Sequence, residues 1–195
     1  MRKTLLLCLC SIAFFNFNKL SAQIEKGHLY PGVTFNQGQG IKYGLQPSIS
    51  LGIGKHGLIG VHASHKRSDN YFYNDSKTYG IANGGGIDYT YFSYFKKSQK
   101  LGWFVTTGFT YYRNIVYQVK NDQKETNNKY GYTNIYLRPG LFFKASQKVM
   151  LFANIGGIGI ESSRGNIDLD LNFANQINVG VLINLGSGKQ NNRSF

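Results

Sequence analysis

Between Leu169 and Leu185 the chain alternates. Leu169, Leu171, Phe173, Ile177, Val179, Val181, Ile183 and Leu185 are apolar, while Asp170, Asn172, Gln176, Asn178 and Asn184 stand among the intervening positions. Successive side chains of a strand point to opposite faces, so this run needs an apolar surrounding on one side and a polar one on the other. At about 3.3 Å per residue it exceeds the ~9–11 residues with which a tilted strand crosses a bilayer. Soluble sheets seldom carry so long a stripe. Strands placed in hydrocarbon must also pair on both edges, because an open backbone N–H or C=O finds no water there, and only closure into a barrel achieves that.

The rest of the chain repeats the pattern. Period-two segments between turn signals predict eight strands, near Gly27–Asn36, Lys42–Gly54, Leu58–Lys66, Thr78–Phe95, Leu101–Val119, Tyr130–Lys144, Val149–Ser162 and Leu169–Leu185. The connectors differ in size. Lys55-His56-Gly57, Lys96 to Lys100 and Ala145 to Lys148 are tight polar turns, whereas Arg67 to Lys77 and Lys120 to Lys129 read as longer loops. An even number of strands with short turns at one end and longer loops at the other is the plan of a bacterial outer-membrane barrel. Leu101, Trp103, Val105, Phe109 and Tyr111 of the fifth strand would face lipid, as would Tyr43, Leu45, Ile49, Leu51 and Ile53 of the second. Opposite them stand Gly, Ser, Thr and Gln, which suit the narrow interior of eight strands. Tyrosines at the loop ends (Tyr71, Tyr73, Tyr111, Tyr112, Tyr117, Tyr130, Tyr132) and aromatics at the turn ends (Tyr91, Tyr94, Trp103, Phe142, Phe143, Phe152) offer two girdles at headgroup level.

Ahead of this lies an address. Arg2 and Lys3, an apolar stretch from Thr4 to Phe15, and the small pair Ser21-Ala22 compose a secretory signal, with cleavage expected after Ala22. Residues 1–22 would then be the signal peptide, 23–185 the barrel and 186–195 a polar tail. Cys8 and Cys10 leave with the signal, so the mature chain has no disulfide and no thiolate chemistry. Losing Arg2, Lys3 and Lys19 from 22 Lys+Arg leaves 19 against 9 Asp+Glu, a net charge of +10. Such a balance also suits nucleic acid. In an exported chain whose cations gather in loops, the phosphates of lipopolysaccharide are the better match, and Lys120, Lys124 and Lys129 are the basic loop residues expected to meet lipid.

Across Gln23 to Leu185 the chain resembles the small outer-membrane β-barrel proteins of Gram-negative bacteria, of the porin-like or OmpA/OmpX type. The resemblance rests on Pro47-Ser48-Ile49, on Leu137-Arg138-Pro139-Gly140-Leu141 and on the closing strand Ile177 to Leu185. It implies an eight-stranded antiparallel up-and-down barrel in the outer membrane, monomeric and inserted by the barrel-assembly machinery. Members of such families often end on an aromatic residue read by that machinery. Phe195 is aromatic, but the tail from Gly186 to Ser194 separates it from the last strand.

Candidate chemistry is sparse. Asp88 and Arg138 both fall on inward positions, where a carboxylate and a guanidinium could form a bidentate pair, either as an ion gate or as a structural plug. His62-Ala63-Ser64 sets an imidazole and a hydroxyl on one strand face, loosely similar to the His-x-Ser element of outer-membrane lipid A deacylases. No third residue that would orient His62 is evident in the sequence. His28, His56 and His65 lack metal-ligand spacing, and Gly84-Gly85-Gly86 lies within a strand rather than at a helix start. No catalytic residue, cofactor or metal is expected. Three functional readings follow: a structural barrel displaying basic extracellular loops, a narrow solute channel, and a lipid-modifying enzyme. A soluble lipocalin-type barrel is the architectural alternative, and it would need an apolar interior.

Overall fold

The computed structural model describes residues 24–186 apart from 39–40, 74–75, 96–97, 99, 121–122, 164 and 172–175. Ten hydrogen-bonded segments occur among them: β1 (Leu29–Gly38), β2 (Ile41–Gly52), β3 (Gly57–Tyr73), β4 (Ser76–Tyr94), β5 (Leu101–Lys120), β6 (Gln123–Lys144), β7 (Val149–Asn154), β8 (Ile158–Ser163), β9 (Asn166–Leu171) and β10 (Gln176–Ile183). Sequential neighbours pair antiparallel, and β1 pairs with β10 to close the sheet. β7 and β8 lie end to end along β6, and together they form the seventh strand. β9 and β10 complete the eighth, against β8 and β7 respectively. The result is a closed eight-stranded antiparallel barrel, as the alternation requires.

The seventh strand is broken by a bulge. Gly140 faces Asn154 and Leu137 faces Ile158, so three steps along β6 match four on its partner. Gly156 takes a φ of 85°, a left-handed conformation that glycine adopts without strain. The extra residue exchanges the faces: Asn154 is inward below the break and Gly159 above it.

Two expectations about length are corrected. Arg67 to Lys77 and Lys120 to Lys129 are not loops, since β3 continues to Tyr73 and β6 already begins at Gln123. Polarity alone does not stop a strand from pairing, because the ladder is made by the backbone. The ends of the barrel therefore differ in height. Pairing in the β1–β2 hairpin stops at Gly38–Ile41, whereas β5 and β6 remain paired up to Lys120–Gln123. β2 accompanies β3 only as far as Tyr43–Arg67, beyond which β3 has β4 alone as a described neighbour.

The outer surface of the described strands carries a continuous apolar band from β2 to β9. Ile49, Val61, Ile87, Phe109, Ile135, Ile160 and Leu169 follow one another as register partners from β2 round to β9. Their exposures run from 41% at Phe109 to 66% at Leu169, so they cover no core of their own. Contiguous apolar surface on this scale is foreign to a water-soluble monomer.

Candidate functional site

The interior has three levels. Nearest the short turns, Ile24, Tyr30, Leu58, Phe92, Phe104, Phe142, Met150 and Leu182 form a buried cluster, with Tyr94 and Phe152 packed against it. Phe142 meets Phe92 edge-on at 5.2 Å and Tyr94 at 4.8 Å, while Phe104 meets Phe152 at 5.7 Å. Rings fit in so narrow a lumen because three of them lie over a glycine of a neighbouring strand. Phe142 opposes Gly102, Phe104 opposes Gly140 and Phe152 opposes Gly180. A Cβ on any of these glycines would run into the facing ring. The same device recurs higher up, where Tyr136 opposes Gly108 and Tyr112 opposes Gly84.

This corrects the expectation of a small, polar lining throughout. It also removes Tyr94, Phe142 and Phe152 from the turn-end girdle, because they point inward. Tyr91 and Trp103 do face outward, 5.8 Å apart. Tyr112, placed in the loop-end girdle, is likewise inward and 2% exposed.

Above the plug lies a cavity of about 70 Å³ with polar and apolar walls, room for two or so water molecules. Asp88 and Arg138 both line it, with Thr90, Thr106, Asn154 and Asn178. They do not form the expected pair. The carboxylate of Asp88 accepts instead from His62 Nδ1 at 2.8 Å, and the Arg138 guanidinium lies 4.0 Å over the Tyr136 ring. Register explains the exchange. Asp88 opposes Gly108 while Arg138 opposes Thr106, so the two charges are offset across an intervening strand. His62 opposes Gly86, and from there it reaches Asp88 diagonally.

The carboxylate partner of His62 was missed in the sequence. Nε2 of the same ring lies 2.9 Å from the Thr110 hydroxyl, within hydrogen-bond distance. The line Asp88–His62–Thr110 thus has the order acid, base, hydroxyl, although the hydroxyl is not that of Ser64. Its geometry is sealed: the His62 side chain is 0% exposed and Thr110 1%. A hydroxyl with no open side cannot be presented to an acyl group, whereas a buried imidazole with both nitrogens matched is stably accommodated. The signal that could have found Asp88 was positional, namely equal inward parity on two strands joined by one hairpin.

The upper level is more loosely satisfied. Tyr112 stacks on Tyr132 at 4.8 Å, and the Lys66 ammonium lies 4.5 Å from the Tyr112 ring centre. Asn114 donates to the Tyr130 hydroxyl at 2.7 Å. Both amide atoms of Asn36 and the side-chain oxygens of Asn114 and Asn134 are buried with no hydrogen-bond partner among the described residues. Just outside this level Lys42 bonds Asp69 at 3.0 Å, and Arg67 covers the Tyr79 ring, which stacks on Tyr117. Lys42, followed by Arg67, holds the exposed Asp69 carboxyl below the usual carboxylate range.

The remaining candidates disperse. Lys120 ends β5, while Lys124 and Lys129 lie in β6, so all three belong to hairpin strands; Lys129 is exposed. His28 bonds Glu25 and Asn184, His56 the Phe92 carbonyl, and His65 Asn83. Gly84 and Gly86 are inward positions of β4, the former beneath Tyr112. Residues 1–22 and Phe195 lie outside the described residues.

The fold is that of the small β-barrels of outer membranes. The chain is similar to the N-terminal β-barrel domain of Pseudomonas aeruginosa OprF, with a TM-score of 0.51 and 11% identity over 82% of this chain and 98% of that one. It is equally similar to a major outer membrane protein from Thermus thermophilus, with a TM-score of 0.53 and 10% identity over 80% and 98%. At such identities the likeness lies in the fold. The sequence matches no family model and no curated protein.

Proposed function

We propose that this chain is an integral outer-membrane barrel that anchors tall, basic hairpins at the cell surface and conducts no solute. A single observation carries the reading: an apolar band outside, from β2 to β9, combined with an aromatic plug inside. The band suits hydrocarbon, where every strand edge must be paired, and closure pairs them. The plug supports a scaffold over a channel, because Phe92, Phe104 and Phe142 are each no more than 2% exposed. Against an enzyme stands the sealed Thr110. The partners proposed are outer-membrane lipid and lipopolysaccharide, with insertion of a monomer by the barrel-assembly machinery.

Fractionation tests the location. The protein should be recovered from outer membranes in a form whose electrophoretic mobility changes on heating; recovery in the soluble periplasm would defeat the proposal. Planar-bilayer recording tests the plug, with no current above background expected from the intact barrel. Replacing Lys120, Lys124 and Lys129 by Glu should weaken binding to anionic lipid without unfolding the barrel.

A further inference from the structure

The pairing that closes the barrel stops short of its hairpin end. β1 and β10 stay together up to Gly38–Gln176, and above that point β9 (Asn166–Leu171) has β8 as its sole strand partner among the described residues. The cause is length: the β1–β2 hairpin ends at Gly38–Ile41, so neither of its strands runs beside β9. Every second residue of β9 therefore turns a backbone N–H and C=O toward an open side, where a further strand can pair with them. Ile167 and Leu169 are 75% and 66% exposed, since no side chain stands next to them there.

The two faces of this edge differ. Ile167, Leu169 and Leu171 share the outward face with Ile158 and Ile160 of β8, while Asp168 and Asp170 share the inward face with Glu161, the register partner of Asp168. Three of the nine Asp and Glu residues thus gather on one hairpin of a chain whose net charge is +13. Neither Glu161 nor Asp168 has a cation within ion-pair distance among the described residues, and Asp168 is exposed. Like charges set opposite one another are unfavourable, so a cation delivered to this face stabilises the hairpin. An unpaired edge beside an apolar outer face is also costly wherever water is scarce, and a docked strand removes that cost.

We propose that the free edge of β9 is a docking strand for an extended segment of a partner protein in which basic and apolar residues alternate. The backbone ladder holds the segment. Its lysines or arginines fall on the inward side opposite Asp168 and Asp170, and its apolar residues continue the outer face beside Ile167, Leu169 and Leu171. A second copy of β9 fits worse, because antiparallel self-pairing centred on Asp168, Leu169 or Asp170 sets carboxylate against carboxylate. The surface is separate from the basic hairpins proposed to meet lipid. It takes from the membrane reading only that the hairpin end faces out of the cell, and fractionation tests that reading independently of peptide binding.

The test uses the whole barrel folded in zwitterionic micelles. A fluorescent peptide of alternating valine and lysine, as long as β9, is titrated by anisotropy. Beside it run a valine–glutamate peptide and a valine–lysine peptide N-methylated at successive residues, which keeps its charges but blocks both of its edges. The unmethylated valine–lysine peptide should bind and slow hydrogen exchange of the Asn166–Leu171 amides, while the other two should bind about tenfold or more weakly. Asp168→Asn with Asp170→Asn should cost about fivefold, and Asp168→Lys with Asp170→Lys should turn the preference toward the glutamate peptide. Heat-modifiable mobility reports that each variant is folded. Equally tight binding of the N-methylated peptide overturns the edge, because a charge contact then suffices. Unchanged affinity of the Asn variant overturns the partner's chemistry, and protection along residues 68–73 of β3 instead of β9 overturns the site.

Discussion

The two ends of the lumen are built on opposite principles. Near the short turns, phenyl rings fill the space left by facing glycines, and among the described residues the only orphaned polar atom there is the Tyr94 hydroxyl. Toward the hairpins, tyrosines stack on one another, Lys66 is held by a ring rather than a carboxylate, and amide atoms of Asn36, Asn114 and Asn134 lack partners among the described residues. Dispersion between close-packed rings needs a fixed geometry, whereas unmatched amides accept any water or ligand that arrives. The barrel thus concentrates its rigidity at one end and its capacity to interact at the other.

Truncation should break this contrast most sharply. Phe142→Ala is expected to destabilise the barrel by about 3–5 kcal/mol in micelle unfolding, since a fully buried ring leaves a cavity in the middle of the plug. The same variant should admit a small ion current in planar bilayers. Overpacking comes next: Gly140→Val drives two methyls into Phe104 and should cost about 1–3 kcal/mol or more, read from the same unfolding curves. At the intermediate level, Asp88→Ala leaves the His62 ring donor unmatched in a sealed site, for about 1–3 kcal/mol. A double-mutant cycle with His62→Ala should return a coupling of about 0.5–3 kcal/mol, and a coupling of zero would mean that the 2.8 Å contact contributes nothing.

Effects shrink toward the hairpins. Replacing Lys120 to Gln123 by a two-residue turn should change barrel stability by less than about 1 kcal/mol, because the Lys120–Gln123 pair reaches beyond the last β4 partner, Lys77 opposite Val119, and adds little to the closed wall. A loss comparable with that of Phe142→Ala would erase the distinction between the ends. Smallest is the rim pair Lys42–Asp69. The Asp69 carboxyl titrates below its unfolded value, so its contribution is present above the usual carboxylate range and disappears as acid carries the pH down through the folded value. Asp69 is exposed, and NMR titration should find its pKa returning upward in Lys42→Gln with barrel stability scarcely altered.

Much of the barrel was legible along the chain, and two errors show where the reading stopped. Eight strands, their antiparallel order and the lipid-facing residues followed from alternation, as Phe109 and Ile135 illustrate. The hairpins were shortened because Arg67 and Lys124 look like loop residues, although polar residues pair as well as apolar ones once outside hydrocarbon. Asp88 was matched with Arg138 on inward parity alone. The register, offset between those two by one intervening strand, delivered Asp88 to His62 instead.

Alternation is a local property of an extended backbone, so the sequence by itself determined the outward stripes of β2 and β5 and that the sheet has to close. Which glycine lies under which ring, which group reaches Asp88, and where the extra residue at Gly156 exchanges inside for outside are matters of pairing between strands far apart in the chain. Only the tertiary structure decided them, because a register shift of one position leaves the pattern of each strand intact and gives every side chain a new neighbour.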